Sequence, residues 1–120
     1  MVLNKDELVG WLILNQKTCP ACGAGLYRDD EKFDLHHLWH RRLKQIDDLL
    51  WVPINISMVC HRCHVPETEE LNYKCAVQKF RMGFTPSMVI GWLRGLPLKI
   101  VPGLPDYFVR AEIDFERRLG

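Results

Sequence analysis

Two Cys-x-x-C pairs, Cys19-Pro20-Ala21-Cys22 and Cys60-His61-Arg62-Cys63, constrain this chain more than any other feature. In a reducing cytosol, paired thiols of this kind favour a metal over a disulfide. Four thiolates make a closed, tetrahedral, structural zinc site. The alternative is a redox Cys-x-x-C, which two pairs flanking a histidine cluster disfavour. The pairs lie far apart in sequence, so one ion would tie the segment before a first strand to the end of a second. Metal-binding free energy then becomes folding free energy, which matters in a domain this small. The fifth cysteine, Cys75, reads as a residue packed inside a helix.

The rest of the chain supplies helices and two short strands. Asn4 can cap a helix and Glu7 stands at its third position, a variant of the capping box. Leu8, Val9, Trp11, Leu12, Ile13 and Leu14 make that helix apolar around much of its girth, as in a core element. Residues 33–39 alternate as a strand does, and a second strand is expected from Ile54 to Val59. His40 to Asp48 is a short helix or an ordered loop. Pro66 opens a helix that runs to Gly83, with acids in its first turn. Thr85 caps the next, with Pro86 at its first position and Met88, Val89, Trp92 and Leu93 as its apolar stripe. A Pro/Gly-punctuated linker leads to a last helix, Asp106 to Leu119, with Phe108, Ala111, Ile113 and Phe115 inward.

Between the two cysteine pairs stand Asp34-Leu35-His36-His37-Leu38 and Asn55, and His64 directly follows Cys63. The paired histidines, then Asn55, then Asn-x4-Cys-x-x-Cys-His closely resemble the HNH nuclease family, also called ββα-metal or His-Me finger. The resemblance covers about residues 19–70. It implies an α+β fold: a small zinc-stapled ββα-metal core with additional N- and C-terminal helices. It also implies a DNA endonuclease in which His37 is the general base and His36 and His64 bind one divalent cation. Chemistry supports these roles independently, because phosphodiester hydrolysis needs a base on water and a cation on the developing charge. Imidazole suits the base, having an unperturbed pKa near neutrality. Asn55 would orient the base or the loop, or join the metal shell. Asp34 shares a strand face with His36 and would ligate the ion or orient that histidine. Some family members carry a further histidine one turn after the His64 position; here position 68 is Thr. That leaves the third protein ligand open among Asp34, Asn55 and Glu67. Two histidines plus oxygens suit Mg2+, Mn2+, Ni2+ or Zn2+ alike. The family's products carry 3′-hydroxyl and 5′-phosphate ends.

The net charge of +1 conceals a segregated pattern: residues 71–105 hold Lys74, Lys79, Arg81, Arg94 and Lys99 and no acid. Such a block suggests a polyanion-facing surface. Residues 76–95, with Gly83, the Thr85 cap and Ser87-Met88-Val89-Ile90-Gly91-Trp92-Leu93, resemble the turn and second helix of a helix-turn-helix. That would put Ser87 and Arg94 near DNA; a helical hairpin covering the core is the other reading. Arg41 and Arg42 follow the base closely and can hold phosphate oxygens, as can Lys79 and Arg81; a solvated charged face is the alternative. The expected organisation is a nuclease core over 1–70, a basic helical segment and linker over 71–105, and a terminal helix over 106–120. No apolar run approaches the ~20 residues that span a bilayer, and the first thirty residues lack a signal-peptide layout. A cytoplasmic protein of a bacterial or phage-infected cell, acting on DNA, is the expectation, with a homodimer as one option. Its rivals are an inactive zinc-stabilised DNA-binding regulator and a small zinc-ribbon interaction protein.

Overall fold

The computed structural model describes residues 3–41, 44–97 and 104–119, with side chains of the last helix described to residue 117. Helix α1 (Lys5–Asn15) begins at a complete capping box: the Asn4 side chain accepts from the Glu7 amide at 2.8 Å, and the Asn4 amide donates to Glu7 Oε1 at 3.2 Å. Two backbone donors that a helix start leaves orphaned are thereby satisfied. Leu8, Val9 and Leu12 are buried, whereas Leu14 is 73% exposed. The core therefore uses one stripe of α1, and its remaining apolar residues lie at the edge or in solvent.

Strand β1 (Phe33–His37) pairs antiparallel with β2 (Ile56–Cys60), in the register Phe33↔Cys60 through His37↔Ile56. Both strands are shorter than their composition suggests. The Asn55 side chain accepts from the amides of Trp39 and His40 at 2.9 and 3.1 Å, which ends the ladder after His37. All five residues of β2 are buried. Its outer edge is completed by a side chain: Gln16 accepts from Met58 N at 2.9 Å and donates to Met58 O at 2.6 Å. One amide side chain thus fills the place of a third strand.

Between the strands lie a 3-10 turn, Lys44–Ile46, and the short helix α2 (Asp47–Leu50). After β2 come α3 (His61–His64), α4 (Glu69–Arg81), α5 (Pro86–Arg94) and α6 (Asp106–Leu119). Helix α4 starts at Glu69 rather than at Pro66. Thr68 is the residue able to cap it, and its hydroxyl accepts from Leu71 N at 3.1 Å. Gly83, at φ +105°, turns the chain after α4, and Thr85 caps α5.

Helix α6 lies along α4. Phe80 meets Phe108 and Phe115 at ring-centroid distances of 5.6 and 5.7 Å, and Trp39 stacks between Phe80 and Tyr107. Tyr73 donates to Asp114 along the same seam. Ile113 is 43% exposed rather than inward. Phe108, Ala111 and Phe115 follow the three- and four-residue spacing of one helix face, and position 113 falls off it. One apolar cluster runs from Leu8 through Val59 and Phe80 to Ala111, so the N-terminal helix, the hairpin and the C-terminal helices share a core. The architecture is α+β, a two-stranded sheet covered by helices.

Candidate metal centres on one hairpin

The first centre forms at the Phe33↔Cys60 end of the hairpin. Cys19 to Cys22 lie on a tight knuckle closed by Cys19 N donating to Ala24 O and Gly23 N donating to Cys19 O, both at 2.8 Å. Gly23 sits at φ +79°, a conformation that favours glycine, and Thr18 bridges to Gly25 beneath it. Cys60 closes β2, and Cys63 lies one turn later in α3. The four sulfur atoms lie within 4.8 Å of one another, with Cys22 Sγ 3.4 Å from Cys60 Sγ. Cys60 N also points at Cys19 Sγ, 3.5 Å away. All four thiols are free. A backbone hydrogen bond at Ala24 draws Cys22 down to about 7, while burial first, then its thiol neighbours, push Cys60 up to about 12. One thiolate forms readily, and each further one needs a neutralising charge.

The second centre lies on the other face of α3. Donor atoms of His36, His64 and Glu67 fall within 4.8 Å of one another. His36 is 4% exposed, its ring 5.0 Å from that of His64 and its Nε2 3.9 Å from Glu67 Oε1. Its Nε2 also lies 2.7 Å from Asn72 Oδ1 on α4. Burial lowers the His36 pKa, against the raising influence of Asn72 and Glu67, so near neutrality the ring is uncharged. Asp34 stands behind this group. Its Oδ2 accepts from His64 Nδ1 at 2.9 Å and from His61 Nδ1 at 2.8 Å. The Asp34 carboxyl is held below its ordinary range: burial works upward, but hydrogen bonds from His64 and then His61 outweigh it. With Nδ1 committed to Asp34, His64 presents its Nε2.

His37 lines the same cleft, a cavity of about 200 Å³ bordered also by Leu35, His36, Arg41, His64 and Glu67. Its ring meets Trp51 edge-on at 4.6 Å. Asn55 lies outside the donor group. It is fully buried and holds the loop after His37: besides its two accepted bonds, Nδ2 donates to the carbonyls of His40 and Leu50, both at 3.0 Å. Tyr107 of α6 donates to Leu38 O at 2.5 Å in the same loop.

Of the expected DNA contacts, Arg41 is exposed at the cleft, and Arg81, Ser87 and Arg94 are exposed on α4 and α5. Arg42 lies outside the described residues. Lys79 is a correction. It is 1% exposed, and its Nζ donates to Pro53 O and Ile56 O, each at 2.5 Å, beneath the Phe84 ring. Two carbonyls left over beside the end of β2 draw it inward, so it has no surface to offer a duplex. Asn72, Gln16 and Tyr107 escaped sequence reasoning. Asn72 alone carried a signal, lying four residues, one helical turn, past position 68. No helix among the described residues is long and apolar enough to cross a membrane. Comparison with protein-family models, with curated proteins and with solved structures returns no match.

Proposed function

We propose that this chain is a metal-dependent endonuclease of the HNH type that hydrolyses DNA phosphodiester bonds. The observation that carries the reading is the convergence of His36, His64 and Glu67 within 4.8 Å in a cleft whose wall also bears His37. A zinc knuckle that only stabilises a fold has no use for that second group of donors.

Two kinds of donor set imply two kinds of ion. Four sulfurs with no oxygen among them suit a soft, tetrahedral ion, and Zn2+ at the cysteine quartet is the best fit. Two imidazoles with a carboxylate suit a divalent cation such as Mg2+, Mn2+, Ni2+ or Zn2+, with His36, His64 and Glu67 as its holders. Such a cation supplies Lewis-acid stabilisation of charge on the scissile phosphate. His37 accepts a proton from a water molecule, whose oxygen attacks phosphorus. The P–O3′ bond then breaks and the departing 3′ oxygen takes a proton from solvent water, leaving 5′-phosphate and 3′-hydroxyl ends. Asp34 keeps His64 in the tautomer that presents Nε2. Arg41, exposed at the rim, offers donors to phosphate oxygens.

The test is cleavage of plasmid DNA with several divalent ions. His37→Ala should slow cleavage by about 10²- to 10⁴-fold, the usual contribution of a general base, with fold and metal content retained. Plasmid left equally intact by wild type and variant with every ion would end the enzyme reading. A second reading, a DNA-binding regulator that does not cleave, draws on the capped α5 with Ser87 and Arg94 exposed beyond a glycine turn. Retained DNA binding without cleavage would select it.

A further inference from the structure

Beside the metal cleft lies a larger cavity of about 680 Å³. The two share Leu35 and His64 in their walls, and Trp51, which meets His37 edge-on, borders the larger one. We infer, on the nuclease reading above, that this cavity is a subsite for one unpaired nucleotide next to the cleaved bond. The preferred substrate is then DNA with unpaired bases at the cut, such as a gap or a flap, rather than continuous duplex.

The wall chemistry divides as a nucleotide does. Trp51, Leu35 and Met58 give an apolar surface with an indole among them, and every base has a face that stacks on an aromatic ring. Two cations, Lys5 and Arg28, also border the cavity. Arg28 Nη2 donates to Asp6 O at 3.0 Å and lies close over Gly10, where a Cβ would come within 3.0 Å of that nitrogen. The guanidinium is therefore seated on α1 by its backbone. Its Nη1 is 3.9 Å from an almost fully exposed Asp6 carboxylate, a weak pair that a phosphate can replace. Lys5 adjoins it.

The acids fix how much of a strand enters. Asp6, Asp29, Asp30 and Asp34 also border the cavity, which disfavours a continuous phosphate track but suits the amino groups of a base edge. The volume falls within the ordinary range for a small-molecule site, about 300–1,000 Å³. A base held in a duplex has neither face free; an unpaired one enters without the unpairing cost.

The experiment uses this 120-residue chain carrying His37→Ala with Mg2+ and three labelled DNAs: a duplex, a single strand, and a duplex with a short gap carrying 2-aminopurine. The gapped DNA should bind at least about 10-fold tighter than duplex, and 2-aminopurine fluorescence should fall on binding as the base stacks on indole. Adding Trp51→Ala should lower the gapped-to-duplex affinity ratio by about 5- to 100-fold, the range set by one base–aromatic stack, and abolish the quench. Arg28→Ala, on the surface, should lower the ratio in a background where Trp51 and the fold are intact. Equal affinity for gapped and continuous DNA, or a ratio that neither substitution alters, overturns the subsite. Competition by an arginine-rich peptide but not by single-stranded DNA overturns it too, by assigning the acidic rim to a basic protein partner. In a parallel digest with wild-type protein, cleavage of duplex without gap preference removes the subsite and leaves the nuclease reading standing. Absence of both cleavage and DNA binding removes that reading first.

Discussion

The two ends of the β1–β2 hairpin are held by different means. At the Phe33↔Cys60 end, four sulfur atoms from two distant segments meet within 4.8 Å. At the His37↔Ile56 end, the chain is held by hydrogen bonds from Asn55, Lys79 and Tyr107 to backbone groups of residues 38–40, 50, 53 and 56. Each clamp sits beside a residue of the cleft. Cys63 and His64 are neighbours in α3, so the sulfur end places His64; Asn55 braces the loop that directly follows His37. A cleft lined from β1 and from the segment after β2 is thus fixed at each end of the hairpin by something other than strand pairing. At the sulfur end four thiols stand where one ion could gather both segments, whereas at the other end hydrogen bonds join a loop packed against α4 and α6.

The largest effect should come from the sulfur end. Cys60→Ser is expected to release the ion and unfold the core, because structural zinc supplies about 10–16 kcal/mol against a typical domain stability of about 5–15 kcal/mol. Elemental analysis with a circular-dichroism melt checks this. A metal-free preparation that melts like wild type would show that the two ends do not differ in kind. Asn55→Ala attacks the other end. It strips partners from two amides and two carbonyls inside the protein, at a cost of about 3–5 kcal/mol. The ion at the cysteines should stay bound throughout, and its loss would mean that the ends are not independent.

Asp34→Asn probes the junction between the two centres. The carboxylate leans on both His61 and His64. Its neutralisation should weaken divalent-cation binding in the cleft by about 10- to 100-fold, the usual effect of losing such a partner, with the melting temperature little changed. Calorimetric titration with Mn2+ reads the difference; unchanged affinity would detach Asp34 from the cleft.

How far these contacts were legible follows from their range. The cysteine quartet was legible because Cys-x-x-C in a Pro/Gly setting encodes a knuckle locally. The α1 cap was legible because Asn4 and Glu7 stand three residues apart. His36 and His64 could be named from sequence, and the structure sets Glu67 with them. Gln16 at Met58 spans 42 positions and Tyr107 at Leu38 spans 69, and nothing near either residue announces its partner. Lys79 misled because a lysine in an acid-free block has the composition of a surface residue. Its burial is decided by two carbonyls more than twenty positions away.

Lys79→Met should have the smallest effect and the most distinctive signature. Burial pushes the Lys79 ammonium from 10.5 down to about 7, opposed by its attraction to Cys75, whose own thiol burial drives up to about 12. In the unfolded chain the amine keeps its ordinary value, so between about pH 7 and 10.5 unfolding takes up a proton. This group's contribution to stability therefore rises with pH across that window and is lost as pH falls back towards 7. Methionine fills a similar volume without the charge. At pH 7 it should cost only about 1 kcal/mol, because Pro53 O and Ile56 O lose a donor while the penalty of a buried cation disappears. Denaturant midpoints at pH 7 and pH 9, the lower edge and the interior of the window, should show a steeper rise for wild type than for the variant. Identical pH slopes would mean that Lys79 stays charged in its cavity. Its two carbonyl bonds would then outweigh its burial, and the hydrogen-bonded end, like the sulfur end, would be organised around a cation.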